Sequence, residues 1–506
     1  MNIRELRLSF CVKTQKMVKD KGKNQFLLNK TVWVQKKTER RSGEMNLATV
    51  ILAAGKGTRM KSELPKVLHK ICGAAMIQHV LEAAREAGSD RVVVVAGFGG
   101  DLVAKAIEGQ GEVVFQHDQL GTAHALNQAS VPLQDYQGDI LVLCGDTPLL
   151  TSGTLKKLIL AHQGGNASAT VLTAVLDDPS GYGRVIRNIG GTVVKIVEHG
   201  DASPEELSVR EINTGVYCFK SRGLFSALAR LKPDNTQGEY YLPDLIGSYV
   251  EEGAVVSAVS ADDPAEIMGV NDRCQLAVAQ AFMSFRINNR LMLSGVTMTE
   301  PRSVFIDAGV TIGRDTLIYP NTIIQGGTSI GEGCVIGPFT QIISASVGDH
   351  VTIRQSLIEG SEVGSNCVIG PFSYIRPGCI LNSNVKVGDF VELKKVEIGS
   401  GSKVPHLSYV GDAVLGRNVN VGAGTITCNY DGEKKWTTVI EDNAFIGSNT
   451  NLVAPVRVGS GAVVGAGSTI TRDVPDHALG VSRDTQKNIP GWSRRKKLGE
   501  KNKKDS

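Results

Sequence analysis

The sequence has few aromatic residues, no long apolar run and no pair of cysteines with metal-binding spacing. Aromatic residues make up 5% of the 506 residues, and no run of about 18 apolar residues occurs, so we expect no membrane-spanning helix. None of the nine cysteines forms a CxxC pair, and the residues before Met45 contain no apolar signal segment. These absences argue against a disulfide framework, a zinc knuckle and secretion, and they favour the reducing cytoplasm.

What is present indicates several folded domains. Hydrophobic residues make up 42% of the chain, which is enough for sizeable cores, and the length predicts roughly three domains. Glycine is abundant, with 57 residues, against a usual share of about 7%. Abundant glycine with few aromatic residues is typical of a tightly turning, repetitive β architecture in part of the chain.

Positive charge is concentrated at the two ends. Residues 1–44 carry a net charge of +8 and residues 487–506 a net charge of +6, so the body between them has a net charge of −10. An acidic body argues against a dedicated nucleic-acid binder, because phosphate neutralisation needs a basic face. We predict that 1–44 is a disordered extension and 487–506 a solvated tail. An alternative interpretation of 1–44 is a start assigned upstream of Met45.

The chain from 45 to 273 alternates short β-branched strands with helical stretches, which predicts an α/β domain with a mainly parallel sheet. Residues 272–294 predict one helix, with 274–294 as the interdomain linker. Its apolar residues recur at spacings of three or four, namely Leu276, Ala279, Met283, Ile287 and Leu291.

From residue 306 the hydrophobic period becomes six, as in the run of isoleucines from Ile306 to Ile342. A three-residue strand plus a turn, repeated every six residues, forms one side of a triangular coil. We therefore predict a β-coil of such repeats over 295–486. Small residues sit beside the aliphatic positions, and Cys334, Cys367 and Cys379 occupy such slots, so they are interpreted as packing residues. The period is interrupted around 344–355 and at 427–438, where we expect loops that leave the coil.

Two motifs of the first domain fit phosphate chemistry. The strand before Gly55 leads into the glycine-rich segment LAAGKGTRM, and Arg59 and Lys66 can supply positive charge to an oligophosphate. A second apolar strand delivers Asp146 at its carboxyl end, where a carboxylate suits Mg²⁺. The plainer interpretations are an ordinary strand-to-helix turn and a helix N-cap at Asp146.

His406 is the candidate base of the second domain. Taken alone it would be interpreted as a surface or stacking residue, but polar groups at Tyr409, Asn429 and Tyr430 lie nearby in the sequence or in the expelled loop. A neutral histidine can take a proton from an attacking nucleophile near pH 7, so the polar surroundings of His406 make it a candidate general base.

The motifs in their order resemble those of the bifunctional bacterial enzyme family that makes UDP-N-acetylglucosamine. Its members are N-acetylglucosamine-1-phosphate uridylyltransferases and glucosamine-1-phosphate N-acetyltransferases. The resemblance covers about 45–490 and rests on LAAGKGTRM with the downstream PK, QLGTAHA, CGD, GYGR, VEH, EINTG, GVN and the hexapeptide repeats. It implies a Rossmann-like nucleotidyltransferase domain joined by a helical linker to a left-handed parallel β-helix.

The resemblance also implies two sets of site residues. Those matching contacts to UTP and UDP-N-acetylglucosamine are Leu52, Ala53, Ala54, Gly55, Arg59, Lys66, Gln116, Gly121, Thr122, Gly183, Glu198, Asn213 and Asn271, with Asp146 and Asn271 as Mg²⁺ ligands. In the second domain His406 matches the catalytic base, and Arg376, Lys394, Tyr409 and Asn420 match the amino-sugar phosphate site. The residues matching acetyl-CoA contacts are Ala423, Asn429, Tyr430, Ser448, Ala466 and Arg483.

The family resemblance implies acetyl transfer from acetyl-CoA to glucosamine 1-phosphate, followed by uridylyl transfer from UTP with release of pyrophosphate. It further implies a cytoplasmic homotrimer whose product feeds peptidoglycan and other envelope polysaccharides. Two residues depart from the family pattern: Cys144 stands where some relatives have Tyr, and Pro405 where many have Gly. We expect Cys144 to have no effect on function, whereas Pro405 stiffens the turn before His406.

Two other functions remain as alternatives from the sequence. In one, the chain is a sugar-1-phosphate nucleotidyltransferase whose β-coil serves only as an oligomerisation scaffold; His406, Lys394 and the NYDG motif argue against it. In the other, the chain is a regulatory or exchange-factor subunit without catalysis; the intact Arg59, Lys66 and Asp146 argue against that.

Overall fold

The structure, a computed structural model, describes residues 46–494. The predicted extension 1–44 and the last twelve residues of the predicted tail lie outside this range. Within it, no helix is both long and apolar enough to cross a membrane.

The first part of the described chain is an α/β domain with helices on both faces of one sheet. Its strands are β1 Leu47–Ala53, β2 Lys70–Ile71, β3 Ala74–Ala75, β4 Arg91–Ala96, β5 Glu112–Phe115, β6 Asp139–Cys144, β7 Ala169–Val175, β8 Arg184–Arg187, β9 Val193–Val197, β10 Glu211–Lys220 and β11 Val256–Ser260. Its helices are α1 Met76–Glu86, α2 Gly100–Ala106, α3 Thr122–Asn127, α4 Ser152–Gly164, α5 Pro204–Leu207, α6 Leu224–Leu228 and α7 Leu242–Glu251.

The main sheet has the order β11-β7-β10-β6-β1-β4-β5, with β8 and β9 attached beside β10. Pairs β1–β4, β1–β6, β4–β5 and β7–β11 are parallel, whereas β10 runs antiparallel to β6 and β7. The central strands are continuous apolar runs because two hydrophobic clusters cover the two faces of the sheet. The mainly parallel α/β fold is therefore confirmed, and the antiparallel strand β10 is an addition that the sequence pattern did not predict.

Helix α8, Arg273–Leu293, leads from this domain to the repeats. The Asp272 side chain caps its first turn by accepting a hydrogen bond from the Gln275 backbone N–H at 2.8 Å. Near its end, Asn288 Nδ2 donates to the carbonyl oxygens of Pro301 and Val304 at 2.9 and 3.0 Å. At its start, Arg273 Nε donates to the Met60 carbonyl oxygen of the α/β domain at 3.2 Å, so the helix is fixed at both ends to the elements that it connects.

After α8 the chain winds into a parallel β-helix with three faces. The first face contains Thr297–Met298, Leu317–Ile318, Val335–Ile336, Thr352–Ile353, Val368–Ile369, Lys386–Asp389, Lys403–His406, Asn420–Val421, Phe445–Ile446, Val463–Val464 and Leu479–Gly480. The second face contains Val304–Ile306, Thr322–Gln325, Gln341–Ile343, Leu357–Glu359, Tyr374–Ile375, Ile426–Cys428, Asn451–Val453 and Thr469–Ile470. The third face contains Thr311–Ile312, Ser329–Ile330, Ser346–Val347, Glu362–Val363, Ile380–Leu381, Thr438–Ile440 and Val456–Val458.

Two longer strands, Glu392–Ile398 and Tyr409–Leu415, bend from the second face onto the third. The six-residue aliphatic positions fill the axis, as shown by Ile324, Ile336 and Ile342, all fully buried. The three cysteines of the small slots are also buried. This confirms the predicted left-handed β-helix of hexapeptide repeats.

The prediction of a loop around 344–355 is wrong. Strands Ser346–Val347 and Thr352–Ile353 continue the third and first faces, and Val347, Val351 and Ile353 are buried. The period breaks because some turns here are one residue shorter, which keeps the aliphatic residues inside. The other interruption does leave the coil between Ile426–Cys428 and Thr438–Ile440; we call residues 429–437 the expelled loop.

Candidate active sites

A cleft of about 360 Å³ opens at the carboxyl ends of β1 and β6. Of the predicted nucleotide residues it is lined by Leu52, Ala53, Ala54, Gly55, Lys66, Gln116, Gly121 and Thr122, together with Asp146. Parallel strands end at this edge of the sheet, which is where open α/β sheets place their ligands. Arg59 lies in the 3₁₀ turn Thr58–Met60 beside the cleft and is exposed.

Glycines shape two walls of this cleft. Gly57 has φ 60°, and a Cβ there would lie 2.7 Å from the Cβ of Lys66. Gly121 has φ 112°, and a Cβ there would lie 2.5 Å from the carbonyl oxygen of Tyr240. Both positions therefore require glycine, because φ is positive and the neighbouring chain is too close for a side chain.

Lys66 brings the two predicted metal ligands together. Its Nζ forms an ion pair with Asp146 Oδ2 and donates to Asn271 Oδ1 at 3.1 Å. A hydrogen bond of 2.9 Å from Val270 N–H to the Asp146 carbonyl oxygen holds the two segments together. Two oxygens of different segments thus converge on one cationic group, an arrangement that also fits Mg²⁺.

Three predicted sugar contacts form a second group: Gly183 directly precedes β8, Glu198 directly follows β9, and Asn213 lies on β10. A Cβ at Gly183 would lie 3.1 Å from Glu198 Oε1, and the Asn213 N–H donates to the Gly183 carbonyl oxygen at 2.8 Å. Burial raises the pKa of the Glu198 carboxyl, and the nearby Asp244 and Asp201 add to this effect. These three residues do not line the cleft itself. The cleft and this group are nevertheless adjacent, because Cys144 lines the cleft and its Sγ lies 3.6 Å from the Gly215 carbonyl oxygen on β10.

The structure adds Gln119 and Glu239 to the cleft lining. Gln119 begins the QLGTAHA motif, which could have identified it, whereas no sequence signal indicates Glu239. Cys144 is half-buried there, and desolvation raises the pKa of its thiol to about 12, so it carries no thiolate chemistry near neutral pH.

The predicted amino-sugar phosphate residues divide between two faces of the β-helix. Arg376, Lys394 and Tyr409 lie on the second face in neighbouring coils, and Arg376 forms a 2.9 Å ion pair with Glu392. Asn420 lies on the first face. A single chain therefore presents three of these four residues on one surface.

His406 lies at the first corner, which we define as the turns between the first and second faces. The predicted acetyl-CoA residues Ala423, Ser448 and Ala466 follow it along this corner in successive coils. The Ala423 carbonyl oxygen accepts from Asn449 N–H at 2.7 Å, and that of Ser448 accepts from Gly467 N–H at 2.8 Å. The guanidinium of Arg483 hydrogen-bonds to the carbonyl oxygen of Ala466, so these four residues form one column with His406.

Asn429 and Tyr430 do not belong to that column. Asn429 begins the expelled loop at the opposite edge of the second face, where its Nδ2 lies 3.4 Å from the Tyr409 hydroxyl and donates to Asp412 Oδ2 at 2.5 Å. Tyr430 is exposed and contacts only its own loop through a hydrogen bond from its hydroxyl to the Gly432 carbonyl oxygen, among the contacts of the described residues.

The expelled loop contributes a cation, Lys435, that the sequence motifs did not predict. Lys435 lies next to Lys394, whose ammonium lowers the pKa of Lys435. The loop is held in shape by Asp431, which accepts from the Glu433 and Lys434 backbone N–H groups at 2.8 and 2.6 Å. Two adjacent lysines favour an anionic ligand, and no sequence pattern indicates that a loop lysine returns to the second face.

The fold and the two sites together define a nucleotidyltransferase joined to a hexapeptide-repeat acyltransferase. Comparison with protein-family models agrees: residues 49–248 match the MobA-like NTP transferase domain, 301–398 the GMPPB C-terminal domain and 437–472 six repeats of the bacterial transferase hexapeptide.

Curated relatives match nearly their whole length. The chain is 56% identical over 453 residues to the bifunctional protein GlmU of Pelotomaculum thermopropionicum, covering 90% of this chain and 99% of the relative. It is 52% identical to that of Heliobacterium modesticaldum, covering 89% and 98%, and 51% identical to that of Pelobacter propionicus, covering 89% and 99%. The chain belongs to the GlmU family of bifunctional proteins. It is a bifunctional transferase in which uridylyl transfer and acetyl transfer make UDP-N-acetylglucosamine, as the resemblance implied.

Proposed function

We propose that each activity has its own site, with Mg²⁺ and UTP bound in the α/β cleft and acetyl-CoA bound at the first corner of the β-helix. The observation that carries this proposal is the spatial division of the candidate residues. Lys66, Asp146 and Asn271 meet in the cleft, whereas His406 and Arg483 belong to one column of the β-helix. Glucosamine 1-phosphate is acetylated first, and the product then accepts the uridylyl group.

In the cleft, an oxygen of the sugar phosphate attacks the α-phosphorus of UTP and the bond to pyrophosphate breaks. The glycine-rich segment from Leu52 to Gly55 receives the nucleotide, and Arg59 and Lys66 neutralise its phosphates. Mg²⁺, when held by Asp146 and Asn271, supplies further charge neutralisation for the phosphate oxygens. Lys66 then exchanges its contact with these two oxygens for a phosphate.

The group on β8 to β10 holds the N-acetylated sugar. Gly183 leaves room beside Glu198, and Asn213 is fixed because its Oδ1 accepts from the Tyr217 hydroxyl at 3.0 Å. A carboxylate and an amide in this position provide acceptors and a donor for sugar hydroxyl and amide groups. Gln116, Gly121 and Thr122 line the nucleotide side of the cleft.

At the first corner, Nε2 of His406 takes a proton from the amino group of glucosamine 1-phosphate as its nitrogen attacks the thioester carbonyl. The carbon–sulfur bond then breaks, and the thiolate of coenzyme A takes the proton from the His406 imidazolium and leaves as the thiol. Arg376, Lys394, Tyr409 and Asn420 hold the sugar phosphate, with Lys435 as an additional cation. Ala423, Ser448, Ala466 and Arg483 contact the coenzyme from this corner. Asn429 and Tyr430, at the opposite edge of the second face, contact it from a second chain.

The same proposal includes a homotrimer formed through the β-helix. We further propose that the enzyme acts in the cytoplasm and that its product feeds envelope polysaccharide synthesis. Support for self-association comes from the first corner, where the apolar side chains of Phe372, Phe390 and Leu407 are 53–62% exposed in successive coils. Phe339, which is 64% exposed, lies two coils before Phe372 at the same corner. Exposed apolar patches of this kind mark interaction surfaces. The position of Asn420 on a different face from Tyr409 also favours a site completed by a second chain.

Assays with the two substrate pairs supplied separately test the proposal. Pyrophosphate release is measured from UTP and N-acetylglucosamine 1-phosphate, and coenzyme A release from acetyl-CoA and glucosamine 1-phosphate. We expect both activities from the one chain. Pyrophosphate release without coenzyme A release would instead favour the nucleotidyltransferase with a β-helix scaffold.

A further inference from the structure

Asp389 lies directly against the candidate base. It ends the strand Lys386–Asp389, one coil before Lys403–His406, and the two residues are register partners in the parallel ladder. The Asp389 Oδ1 to His406 Nδ1 distance is 2.6 Å, while the His406 side chain remains 57% exposed. The carboxylate therefore contacts one ring nitrogen and leaves the rest of the ring open to solvent.

We propose that Asp389 is the positioning residue of the acetyl-transfer site, which holds His406 in the tautomer that leaves Nε2 free to accept a proton. This inference rests on the proposed role of His406 as base. An ionised carboxylate can only accept hydrogen bonds, so Nδ1 must carry the proton and Nε2 the lone pair. As Nε2 takes the proton from the amine, the negative charge of Asp389 stabilises the imidazolium that forms.

The surroundings of the pair agree with this role. The hydrogen bond from His406 lowers the pKa of the Asp389 carboxyl, which keeps it ionised at neutral pH. The next coil places the uncharged Gly422 and Ala423 beside His406, and the flanking corner residues Phe390 and Leu407 are apolar. The same two strands carry two other charged residues: Lys386, three residues before Asp389, and Lys403, three residues before His406.

The backbone also fixes the pair closely. A Cβ at Gly388 would lie 1.9 Å from the Pro405 carbonyl oxygen, so the residues preceding Asp389 and His406 pack directly against each other. Pro405, which departs from the family pattern, fixes the backbone before His406 and removes one backbone N–H. The strand pairing therefore determines the distance between the carboxylate and the ring.

The test compares Asp389→Asn, Asp389→Ala and Asp389→Glu with Asp442→Asn, a matched control. Asp442 is another ion-paired aspartate on the surface of the β-helix, with its Oδ2 2.9 Å from Arg417. For Asp389→Asn and Asp389→Ala we expect kcat for acetyl transfer to fall at least ~10-fold, with KM for both substrates nearly unchanged. Asp389→Glu should recover part of the rate, and Asp442→Asn should behave as the original protein.

The pH profile separates positioning from a structural role. Without the negative charge the imidazolium is less stable, so the acidic limb of kcat/KM should move to lower pH in Asp389→Asn. Uridylyl transfer and the thermal midpoint serve as folding controls. An Asp389→Asn rate within about twofold of the original, with an unmoved pH profile, would overturn the inference.

His406→Ala is measured in parallel to distinguish two failures. If His406→Ala abolishes acetyl transfer and Asp389→Asn does not lower it, only the role of Asp389 is wrong. If His406→Ala itself keeps the acetyl-transfer rate, the proposed base is wrong and the inference falls with it.

Discussion

Lys66 and Asn271 touch although 205 residues separate them in the sequence, with Nζ of the lysine donating to Oδ1 of the asparagine at 3.1 Å. Lys66 begins the 3₁₀ turn Lys66–Leu68 that follows β1, and Asn271 lies two residues before α8, the helix that leads to the β-helix. With Asp146 as the third member, an ammonium occupies the position that we propose for a divalent cation. Binding of nucleotide and metal therefore requires Lys66 to release these oxygens. The ion pair between Lys66 and Asp146 should accordingly be present in the empty cleft and broken when the cleft holds nucleotide and metal.

Replacing Lys66 by Met should impair only the first activity. The change removes a positive charge that we expect on the phosphates, and loss of one such group typically costs about 10²- to 10³-fold in kcat. Pyrophosphate release is the readout, with coenzyme A release expected to stay unchanged. Lys157→Met is the matched control, because Lys157 forms an exposed ion pair of 2.6 Å with Asp262 outside both sites. Equal losses in the two variants would contradict the role of Lys66.

Removal of divalent metal should stop uridylyl transfer and spare acetyl transfer. Between residues 46 and 494, no group of three or more His, Cys, Asp or Glu residues is arranged to hold a metal. The proposed site instead uses one carboxylate and one amide oxygen, so it depends on substrate phosphates and should exchange its metal readily. Both rates are measured in EDTA and after readdition of Mg²⁺. Equal loss of acetyl transfer in EDTA would contradict base catalysis by His406 without metal.

Point mutations should separate the two chemistries. His406→Ala should lower acetyl transfer by about 10²- to 10⁴-fold, the usual contribution of a positioned base, and leave uridylyl transfer intact. Asp146→Ala should do the reverse, because it removes the one carboxylate of the proposed metal site. Both variants should fold, because neither side chain fills an axial position of the β-helix. Circular dichroism checks this. A variant that lost both activities while remaining folded would show that the sites are coupled.

A methyl group at Gly388 should destabilise the β-helix and lower acetyl transfer. The added Cβ would lie 1.9 Å from the Pro405 carbonyl oxygen, so Gly388→Ala must push two coils apart beside His406. Overpacking of this kind costs about 1–3 kcal/mol. Gly327→Ala is the control in the same β-helix, because no atom lies within 4 Å of its added Cβ. Thermal midpoints of the two variants are compared, and an equal midpoint would refute the close packing at Gly388.

Charged residues on the first corner should weaken self-association. Phe372 and Phe390 stack at 5.4 Å between ring centroids, and both are more than half exposed. The double change Phe372→Asp with Phe390→Asp replaces this apolar surface by like charges, which should shift the trimer towards monomer in sedimentation experiments. Phe305→Asp serves as the control, since Phe305 is similarly exposed on the second face. If the double variant remained as trimeric as the control, the first corner would not be part of the interface.

Local sequence patterns were sufficient to predict the architecture wherever a period imposes burial. The six-residue spacing of Ile324, Ile330 and Ile336 defines a coil because each of them must reach the axis. The apolar runs of β1 and β6 likewise predicted buried parallel strands, and the ordered motifs identified the family. Asp146 could be placed at a strand end from the sequence pattern alone.

Contacts between distant side chains depend on how the whole chain folds, because no local period encodes a contact between coils or between segments. Coils with shorter turns keep their axial residues inside, so the broken period at 344–355 produces no loop. Lys435 returns to Lys394 only because the expelled loop folds back over the second face. Asp389 faces His406 only because the register of two parallel strands aligns residues 17 positions apart in the chain.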